Sequence, residues 1–345
     1  MPNISIKDVA ELAGVSIATV SRCINSPDKV TEKTRLKVQS AIQETGYSPN
    51  TLAQSFRRGR TNLVMVVVPT IGDPFFAAVM RGIRIAAKAK GYSVVIDETQ
   101  LNTMTADEIG AMLVSSQTDG IILLASLSPF GTDILSANSD RRLPIVIGCE
   151  TIAPELADFP SVHIDNIAAA KDAANYLISL GHQKVAMIIG HHSSLLTKDR
   201  ELGYREAMKT ASLYIDNDWV VEGHLTLAGA RNATQNLLGL ENRPTAIFCA
   251  TDEMAIGCIH AVKTAGMSVP DDISIMGFDD IRYAEFTDPP LTTISQPGEE
   301  IGERVMYRLC RRIEEGSTGN NDPEIVPHKL VIRQSVKKLK SYSDS

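Results

Sequence analysis

The chain has 345 residues, of which 43% are hydrophobic and 22% charged, and its formal net charge is −7. A domain usually contains about 100 to 200 residues, so this length excludes a single small module and predicts two or three folded units. The apolar content excludes an extensively disordered protein.

No segment is typical of a membrane or secreted protein. No uninterrupted apolar run exceeds six residues, the length of Leu63 to Val68, whereas a membrane helix needs roughly 20. The first residues lack the apolar region of a signal peptide. The five cysteines are scattered and contain no C-x-x-C pair, which indicates buried thiols rather than a disulfide framework or a zinc site. We therefore expect a cytoplasmic protein with no membrane partner, no metal and no cofactor.

Charge is distributed unevenly along the chain. Residues 1–60 contain nine Lys and Arg but five Asp and Glu, a net charge of +4, so residues 61–345 carry −11. A basic segment joined to a larger acidic one is typical of a module that binds a polyanion beside one that does not. An ordinary solvated surface is the alternative that charge alone leaves open.

The N-terminal segment predicts two short helices in close succession. A capping box at Ser5 and Asp8 opens a helix over Ile6–Ala13, where apolar residues recur at helical spacing. Ser16 caps a second helix over Ile17–Asn25. The turn between them has only about three residues, which is the spacing of a helix-turn-helix.

A third helix completes the predicted unit. Thr31 caps it, Gly46 ends it, and Leu36, Val38 and Ile42 are expected to form its buried stripe. Three small helices with a tight turn also suit a protein-binding bundle, so that alternative stays open. In a DNA-binding unit the second helix enters the major groove, and an arginine such as Arg22 can bind guanine, worth roughly 1 to 3 kcal/mol of discrimination.

The N-terminal residues resemble those of a known family. The run IKDVAELAGVSIATVSR from Ile6 to Arg22, followed by Asn25 and the GYSPN run of residues 46–50, is similar to the headpiece of LacI/GalR-type (lactose repressor family) transcription regulators. The resemblance implies a homodimer that binds double-stranded operator DNA, located in the nucleoid. The DNA-binding residues that it implies are Ser5, Ser16, Ile17, Ala18, Thr19, Ser21, Arg22, Asn25, Thr31, Tyr47, Asn50, Ala53, Phe56 and Arg57.

The segment from Pro49 to Arg60 predicts a short helix between the headpiece, residues 1–48, and the rest of the chain. A helix of about eight residues is marginal in water without a partner. The family resemblance implies that this hinge helix pairs with its dimer mate in the minor groove and inserts Phe56 between base steps. A flexible basic linker is the alternative.

Residues 61–345 predict an α/β fold of two similar subdomains. Short apolar runs alternate with helical stretches, which is typical of βαβ units in parallel sheets. The predicted strands are Leu63 to Val68, Val94 to Asp97, Gly120 to Leu124, Ile145 to Gly148, Val185 to Gly190, Ala246 to Cys249 and Ser274 to Phe278. These strands are too many for one sheet, so we expect two doubly wound, periplasmic-binding-protein-like subdomains with a ligand cleft between them. The N-subdomain is expected at about 61–161 and 293–325, and the C-subdomain at about 162–292 and 326–345.

Polar and aromatic residues follow the predicted strands, where ligands of such folds bind. They can accept hydrogen bonds from vicinal hydroxyls or stack on a ring, which favours a polar neutral ligand. Each can also have a structural role, as Asp165 would in capping a helix. The residues found in this way are Asp73, Phe75, Phe76, Ser126, Glu150, Asp165, Thr251, Asp252 and Asp279.

The family resemblance extends through this region, in runs such as Gly181-His182, Arg200-x-x-Gly203-Tyr204 and Gly277-Phe-Asp279. It implies that Arg200 and Asp279 grip a small-molecule effector, that Phe75 or Phe76 stacks on it, and that Leu225 lies beside its ring. Runs such as Asp73-Pro-Phe-Phe76 and Asp288-Pro-Pro-Leu-Thr-Thr-Ile294 resemble those of a nucleoside-responsive member, which implies a nucleoside effector. Sugar or nucleobase effectors remain alternatives.

Two other functional classes are disfavoured. The chain contains no G-x-S-x-G, G-x-x-x-x-G-K-[ST], G-x-G-x-x-G or H-E-x-x-H motif, and the adjacent His191 and His192 lack further ligands at metal-binding spacing. We therefore expect no enzyme. A solute-binding protein would share the double subdomain, but it would need an export signal and would not begin with a basic three-helix unit. The sequence predicts a DNA-binding transcriptional regulator, most simply a repressor, whose operator affinity depends on an effector.

Overall fold

The computed structural model describes residues 4–47, 60–98, 117–124, 144–150, 159–192, 194–316 and 321–339. The chain divides into two compact units, Met1–Thr61 and Asn62–Ser345. The first unit, here called the headpiece, contains α1 (Ile6–Ala13), α2 (Ile17–Asn25) and α3 (Glu32–Thr45). The second is here called the body. No helix in the described ranges has the length and apolar character needed to cross a membrane.

Local signals define the headpiece helices. The Ser5 backbone N–H donates to the Asp8 carboxylate at 2.7 Å at the start of α1, and Gly14 and Gly46 end α1 and α3 in the left-handed conformation, with φ of 64° and 66°. The predicted bounds of α1 and α2 are confirmed. The three helices pack around a core of small side chains, namely Val9, Ala10, Ala13, Val20, Cys23, Val38 and Ala41.

The prediction that Leu36 lies in the buried stripe of α3 is wrong, because its side chain is 58% exposed. Val38 and Ala41 are buried and Ile42 packs against them. Leu36 precedes Val38 by two residues, which is about 200° around a helix, so the two side chains lie on nearly opposite faces. The buried face of α3 continues to Ala41, a residue whose size gave little signal in the sequence.

The first sheet of the body has six parallel strands in the order β11-β5-β4-β3-β1-β2. The predicted strands over Leu63 to Val68 and Ile145 to Gly148 are confirmed to the residue, while β5 and β11 were not predicted. The strands are β1 (Leu63–Val68), β2 (Ser93–Glu98), β3 (Gly120–Leu123), β4 (Ile145–Gly148), β5 (Ser161–His163) and β11 (Glu324–Ile325).

The second sheet repeats this order as β12-β10-β9-β8-β6-β7, with β12 antiparallel to β10 and the other pairs parallel. Both sheets are therefore doubly wound, as predicted, and their switch points lie between β1 and β3 and between β6 and β8. The strands are β6 (Val185–Ile189), β7 (Val220–Glu222), β8 (Ala246–Cys249), β9 (Ser274–Asp279), β10 (Thr292–Ser295) and β12 (Lys329–Val331).

Six helices of the described ranges cover the two sheets, and some approach their neighbours closely. In the first subdomain α4 and α9 are in backbone contact, because a Cβ at Gly82 would lie 1.9 Å from the Glu299 carbonyl oxygen and one at Gly302 would lie 2.0 Å from that of Val79. Any side chain at either position would force the helices apart. The six are α4 (Pro74–Ala89), α5 (Asn166–Ser179), α6 (Leu195–Thr210), α7 (Leu227–Leu238), α8 (Asp252–Thr264) and α9 (Gly298–Glu315).

The chain crosses between the sheets three times, after β5, after β10 and after β11. All of β5 belongs to the first sheet and all of β10 to the second. The predicted subdomain boundaries at 161/162 and 292/293 therefore fall inside strands, and the crossings come two or more residues later. These strands have only three and four residues, too few to show a period in the sequence.

Candidate functional site

The exposed face of α2 carries the predicted base-reading residues. Ile17 is 44% exposed, and Ala18 and Arg22 are also exposed, whereas Val20 on the opposite face is fully buried in the headpiece core. The start of this helix is fixed by Ser16, whose hydroxyl accepts a hydrogen bond from the Thr19 N–H at 3.1 Å. The face is therefore a rigid, solvent-exposed surface with one long cation, which suits insertion into a groove of DNA.

The other predicted DNA-binding residues are placed differently from one another. The Ser5 hydroxyl donates to the Asp8 carboxylate at 2.9 Å, Thr31 exchanges a hydrogen bond with Thr34 at 3.0 Å, and Tyr47 packs against the headpiece core. Ser21 is half-buried. The remaining ones lie outside the described residues, namely the side chain of Asn25 and residues Asn50, Ala53, Phe56 and Arg57 of the predicted hinge helix.

Arg200 on α6 is the centre of a second candidate site, in the body. Its side chain is 2% exposed, its Nε donates to Asn166 Oδ1 at 3.1 Å, and its Nη1 donates to the Ala250 carbonyl oxygen. The guanidinium also lies 3.7 Å from the centroid of the Phe278 ring, a cation–π contact that helps hold a desolvated cation. Arg200 is thus fixed between α5, β8 and β9.

Asp279 faces Arg200 from the end of β9. Its Oδ1 lies 3.7 Å from Arg200 Nη2 and accepts a hydrogen bond from Gln296 Nε2 at 2.6 Å. Asp279 has a φ of +113°, an uncommon conformation for a residue with a side chain. Burial raises the pKa of Asp279 and lowers that of Arg200, and the attraction between the two opposes both shifts.

Asp252 holds the segment that carries Asp279. Its two carboxylate oxygens accept hydrogen bonds from the Thr293 hydroxyl at 2.6 Å and the Ile281 N–H at 2.8 Å. Gly277 is required beside it, because a Cβ there would lie 2.1 Å from Asp252 Oδ1. Burial raises the pKa of Asp252 to about 7, against the hydrogen bonds from Thr293 and Ile281, which lower it. Asp252 therefore stabilises the backbone segment that positions Asp279.

The first subdomain contributes carboxylates to the same site, and two aromatic rings follow one of them along the chain. Asp73 and Glu150, like Asp252 and Asp279, are close enough to Arg200 to raise its pKa by electrostatic attraction. Asp73 caps α4 by accepting from the Phe75 N–H at 2.8 Å, and burial raises the pKa of this carboxyl. The Phe75 and Phe76 rings meet edge to face with centroids 5.4 Å apart. One buried cation is therefore surrounded by four carboxylates from both subdomains.

The remaining predicted residues cap helices, pack against the body core or lie outside the described ranges. Asp165 is exposed and caps α5 by accepting from the Ala168 N–H at 2.9 Å, as in the alternative considered for it. Thr251 caps α8 in the same manner, and Leu225, with φ of +56°, packs against the body core. Ser126 lies outside the described residues.

Two amides in this cluster, Asn166 and Gln296, were not among the predicted site residues. Asn166 follows Asp165 at the start of α5, and Gln296 lies two residues before α9. Both bond to the Arg200–Asp279 pair. A signal existed for Asn166, which directly follows a strand-end carboxylate, whereas nothing in the sequence places Gln296 beside Asp279.

A histidine cluster lies at the carboxyl ends of β6 and β7. Glu222 accepts a hydrogen bond from the His192 N–H at 2.9 Å, and the His191 and His224 rings are 5.0 Å apart. No partner was predicted for His191 or His192. Within the described residues, no group of three His, Cys, Asp or Glu side chains is arranged to hold a metal ion.

Comparisons with known proteins give matches to both the headpiece and the body. The family model for bacterial regulatory proteins of the lacI family matches residues 5–50, and that for a periplasmic binding protein-like domain matches residues 174–336. The HTH-type transcriptional repressor CytR of Escherichia coli (strain K12) is 38% identical over 335 residues, 97% of either chain. The HTH-type transcriptional regulator DegA of Bacillus subtilis (strain 168) is 34% identical over 336 residues, 97% of this chain and 98% of its own.

Solved structures show the same relationship. The Lac repressor dimer bound to operator and the anti-inducer ONPF has a TM-score of 0.83 and 26% identity, with 97% of this chain and 99% of that chain covered. A complex of the transcriptional regulator CelR with cellobiose has a TM-score of 0.71 and 31% identity, with 96% and 99% covered. The similarity therefore spans the headpiece and the body together.

Proposed function

Because this chain belongs to the lacI family of bacterial regulatory proteins, and is thus a DNA-binding transcriptional regulator rather than an enzyme, we propose that it is a dimeric repressor that responds to a nucleoside. The observation that carries this proposal is the pairing of an exposed recognition helix with a buried Arg200–Asp279 cluster in one chain. A repressor of this kind acts on chromosomal DNA in the cytoplasm.

The headpiece reads the operator through α2. Ile17 and Ala18 are exposed apolar side chains that suit contact with a thymine methyl group, and exposed Arg22 can donate two hydrogen bonds to guanine O6 and N7. The hydroxyl groups of Ser16 and Thr19 at the start of the helix suit phosphate contacts. A single headpiece offers few such contacts, so two headpieces on a near-palindromic site are needed for tight binding.

Residues 49–60 form the hinge in this proposal. Pairing of two hinge segments in the minor groove, with Phe56 as the wedge between base steps, would bend the operator. Arg57, Arg58 and Arg60 add cations next to phosphates, which makes affinity depend on salt. Because a helix of this length is marginal alone, it forms only when its partner is at the right separation.

The body binds the effector at the Arg200–Asp279 cluster. Carboxylates suit the hydroxyl groups of a sugar, and the adjacent Phe75 and Phe76 rings suit stacking on a base. The resemblance of the sequence to a nucleoside-responsive member of the family favours a nucleoside over a free sugar. Binding between the two subdomains would change the angle between them and so alter the separation of the hinge helices.

An exposed apolar surface of the first subdomain suits the dimer interface. Ile85 on α4 and Val95 and Ile96 on β2 are 47%, 41% and 43% exposed, beside a cavity of about 740 Å³ lined by α4 and β2. In the described residues β2 is the edge strand of its sheet. Exposed apolar side chains on and beside an edge strand are typical of an interface with a second copy.

A thermal-shift screen of nucleosides, bases and sugars tests the effector assignment. A ligand at 100 times its dissociation constant stabilises the folded body by about 2.7 kcal/mol, so a cognate nucleoside should give a clear rise in Tm. Binding of the full-length protein to selected duplex sites, with and without that nucleoside, then tests the regulatory link. A protein that preferred no duplex over random competitor in either condition would overturn the proposed function.

A further inference from the structure

Two buried amides beside the Arg200–Asp279 pair each leave one polar atom without a hydrogen-bond partner in the described ranges. These atoms are Nδ2 of Asn166 and Oε1 of Gln296. The two side chains are only 2% and 6% exposed, so bulk water does not solvate them. Buried polar atoms are nearly always paired, because an unpaired one costs stability. Two such atoms beside one ion pair indicate a ligand that completes them.

The charged partners fix which atom of each amide is unpaired. Arg200 Nε can only donate, so Asn166 must turn its oxygen toward it, at 3.1 Å, and its NH2 group remains a free donor. Gln296 donates its Nε2 to the Asp279 carboxylate at 2.6 Å, and its backbone N–H donates to the Asp279 carbonyl at 3.2 Å. Its Oε1 therefore remains a free acceptor. The site offers one unused donor and one unused acceptor.

We propose that Asn166 and Gln296 are specificity-determining residues that bind two hydroxyl groups of the effector. The Asn166 amide donates to one hydroxyl oxygen, and Gln296 Oε1 accepts the proton of the other. This inference rests on the proposed function, since it concerns the same site, and it identifies the ribose diol as the group that is recognised. A hydroxyl both donates and accepts, so one hydroxyl can accept from the Asn166 amide and another can donate to Gln296 Oε1.

The same arrangement selects against anionic ligands. A phosphate or carboxylate has no proton for Gln296 Oε1, and it would add negative charge near four carboxylates that share the single cation of Arg200. The site therefore takes neutral nucleosides in preference to nucleotides.

The test is calorimetric titration of the full-length protein with cytidine, 2′-deoxycytidine, 3′-deoxycytidine, cytidine monophosphate and ribose. Asn166→Asp keeps an oxygen for Arg200 but removes the donor. Gln296→Met keeps the side-chain length but removes the acceptor, together with the Nε2 donor to Asp279. Ser161→Ala is the matched control, because the Ser161 hydroxyl is also buried and unpartnered but lies on β5, in the first sheet.

In the native protein we expect at least one deoxynucleoside to bind about 10-fold more weakly than cytidine, and cytidine monophosphate to bind more weakly still. Each variant should weaken cytidine binding by about 10-fold. It should change the affinity for the deoxynucleoside that lacks the hydroxyl bound by that amide by less than about 2-fold, because the variant and the ligand remove the same hydrogen bond. Ser161→Ala should leave all affinities unchanged.

Equal affinity of the native protein for cytidine and both deoxycytidines would overturn the inference while the nucleoside assignment stood. Equal losses for all ligands in the two variants would also overturn it, since they would indicate a purely structural role. If ribose bound with the same dependence on Asn166 and Gln296 while no nucleoside bound, the inference would stand and the assignment of a nucleoside as the effector would be overturned. Binding of no member of the panel would overturn both.

Discussion

The headpiece and the body place their functional residues in opposite environments. The headpiece buries small apolar side chains and leaves its functional face, with Ile17 and Arg22, exposed to solvent. The body buries its functional groups, so that Arg200 and Asp279 are 2% and 5% exposed inside a large apolar core. The first arrangement suits a large polyanion that meets a surface, and the second suits a small neutral ligand that must be enclosed.

This difference implies that one function can be removed without the other. The largest effect is expected for Asp279→Ala, which removes the carboxylate that lies 3.7 Å from the Arg200 guanidinium and so weakens the charge balance of a buried cation. We expect the effector-induced rise in Tm to disappear while operator binding without effector persists, as measured by thermal shift and by DNA titration. A normal dose response in this variant would remove Asp279 from the effector site.

The stability of the body can be changed separately through its helix contacts. Gly82→Ala would place a methyl group 1.9 Å from the Glu299 carbonyl oxygen between α4 and α9, so we expect the free energy of unfolding of the body to fall by about 1 to 3 kcal/mol or more. Gly239→Ala is the control, because its nearest atom would be 3.5 Å away. Calorimetry should show the body transition move and the headpiece transition stay, and movement of both would contradict two independent units.

Operator choice should depend on the headpiece alone. Arg22→Ala removes the exposed cation of α2, and we expect discrimination between operator and random DNA to fall by about 1 to 3 kcal/mol, with the effector affinity unchanged. Lys37→Ala, an exposed cation on α3, should change specific and non-specific binding alike. Competition titrations at fixed salt measure both. Unchanged selectivity in Arg22→Ala would exclude this side chain from base reading.

The pH dependence of body stability tests the burial of Asp252. The pKa of Asp252 is about 7 in the folded protein against 3.8 as its reference value, so the folded state binds an extra proton between these values. Stability therefore falls as pH rises from about 4 to about 7 and levels off above that. Asp252→Asn should flatten this part of the Tm profile. The control Asp218→Asn, at an exposed position, should leave its slope unchanged. An unchanged slope would show that Asp252 does not titrate in this window.

The headpiece was predictable from sequence because its signals are local. Ser16 and Gly14 mark helix ends within a few residues of the turns they define, and α1 and α2 begin and end where these residues require. Leu36 was misplaced because a three-helix core has few positions and a small residue, Ala41, occupies one of them. The doubly wound fold of the body was predictable for a similar reason, since buried parallel strands are continuous apolar runs.

The interior of the effector site was only partly predictable because it depends on contacts between distant parts of the chain. Asp73 and Asp279 were found from their places after strands, but Gln296 meets Asp279 only through the pairing of β9 with β10. Strands of three residues such as β5 and β7 give no periodic signal. Asp165 was predicted as a site residue for the same reason but caps a helix. A carboxylate after a strand and a helix cap have the same appearance in the sequence.

The three crossings between the sheets have a mechanical consequence. They follow β5, β10 and β11, which are the first or second strands at corresponding edges of the two sheets. Asn166 and Gln296 lie next to two of these crossings. Six strands about 4.8 Å apart span about 24 Å, so a pivot of about 5° at that edge carries β2, at the opposite edge, through about 2 Å. An effector bound beside these crossings would thus move β2, at the opposite edge of the first sheet, much further than it moves itself.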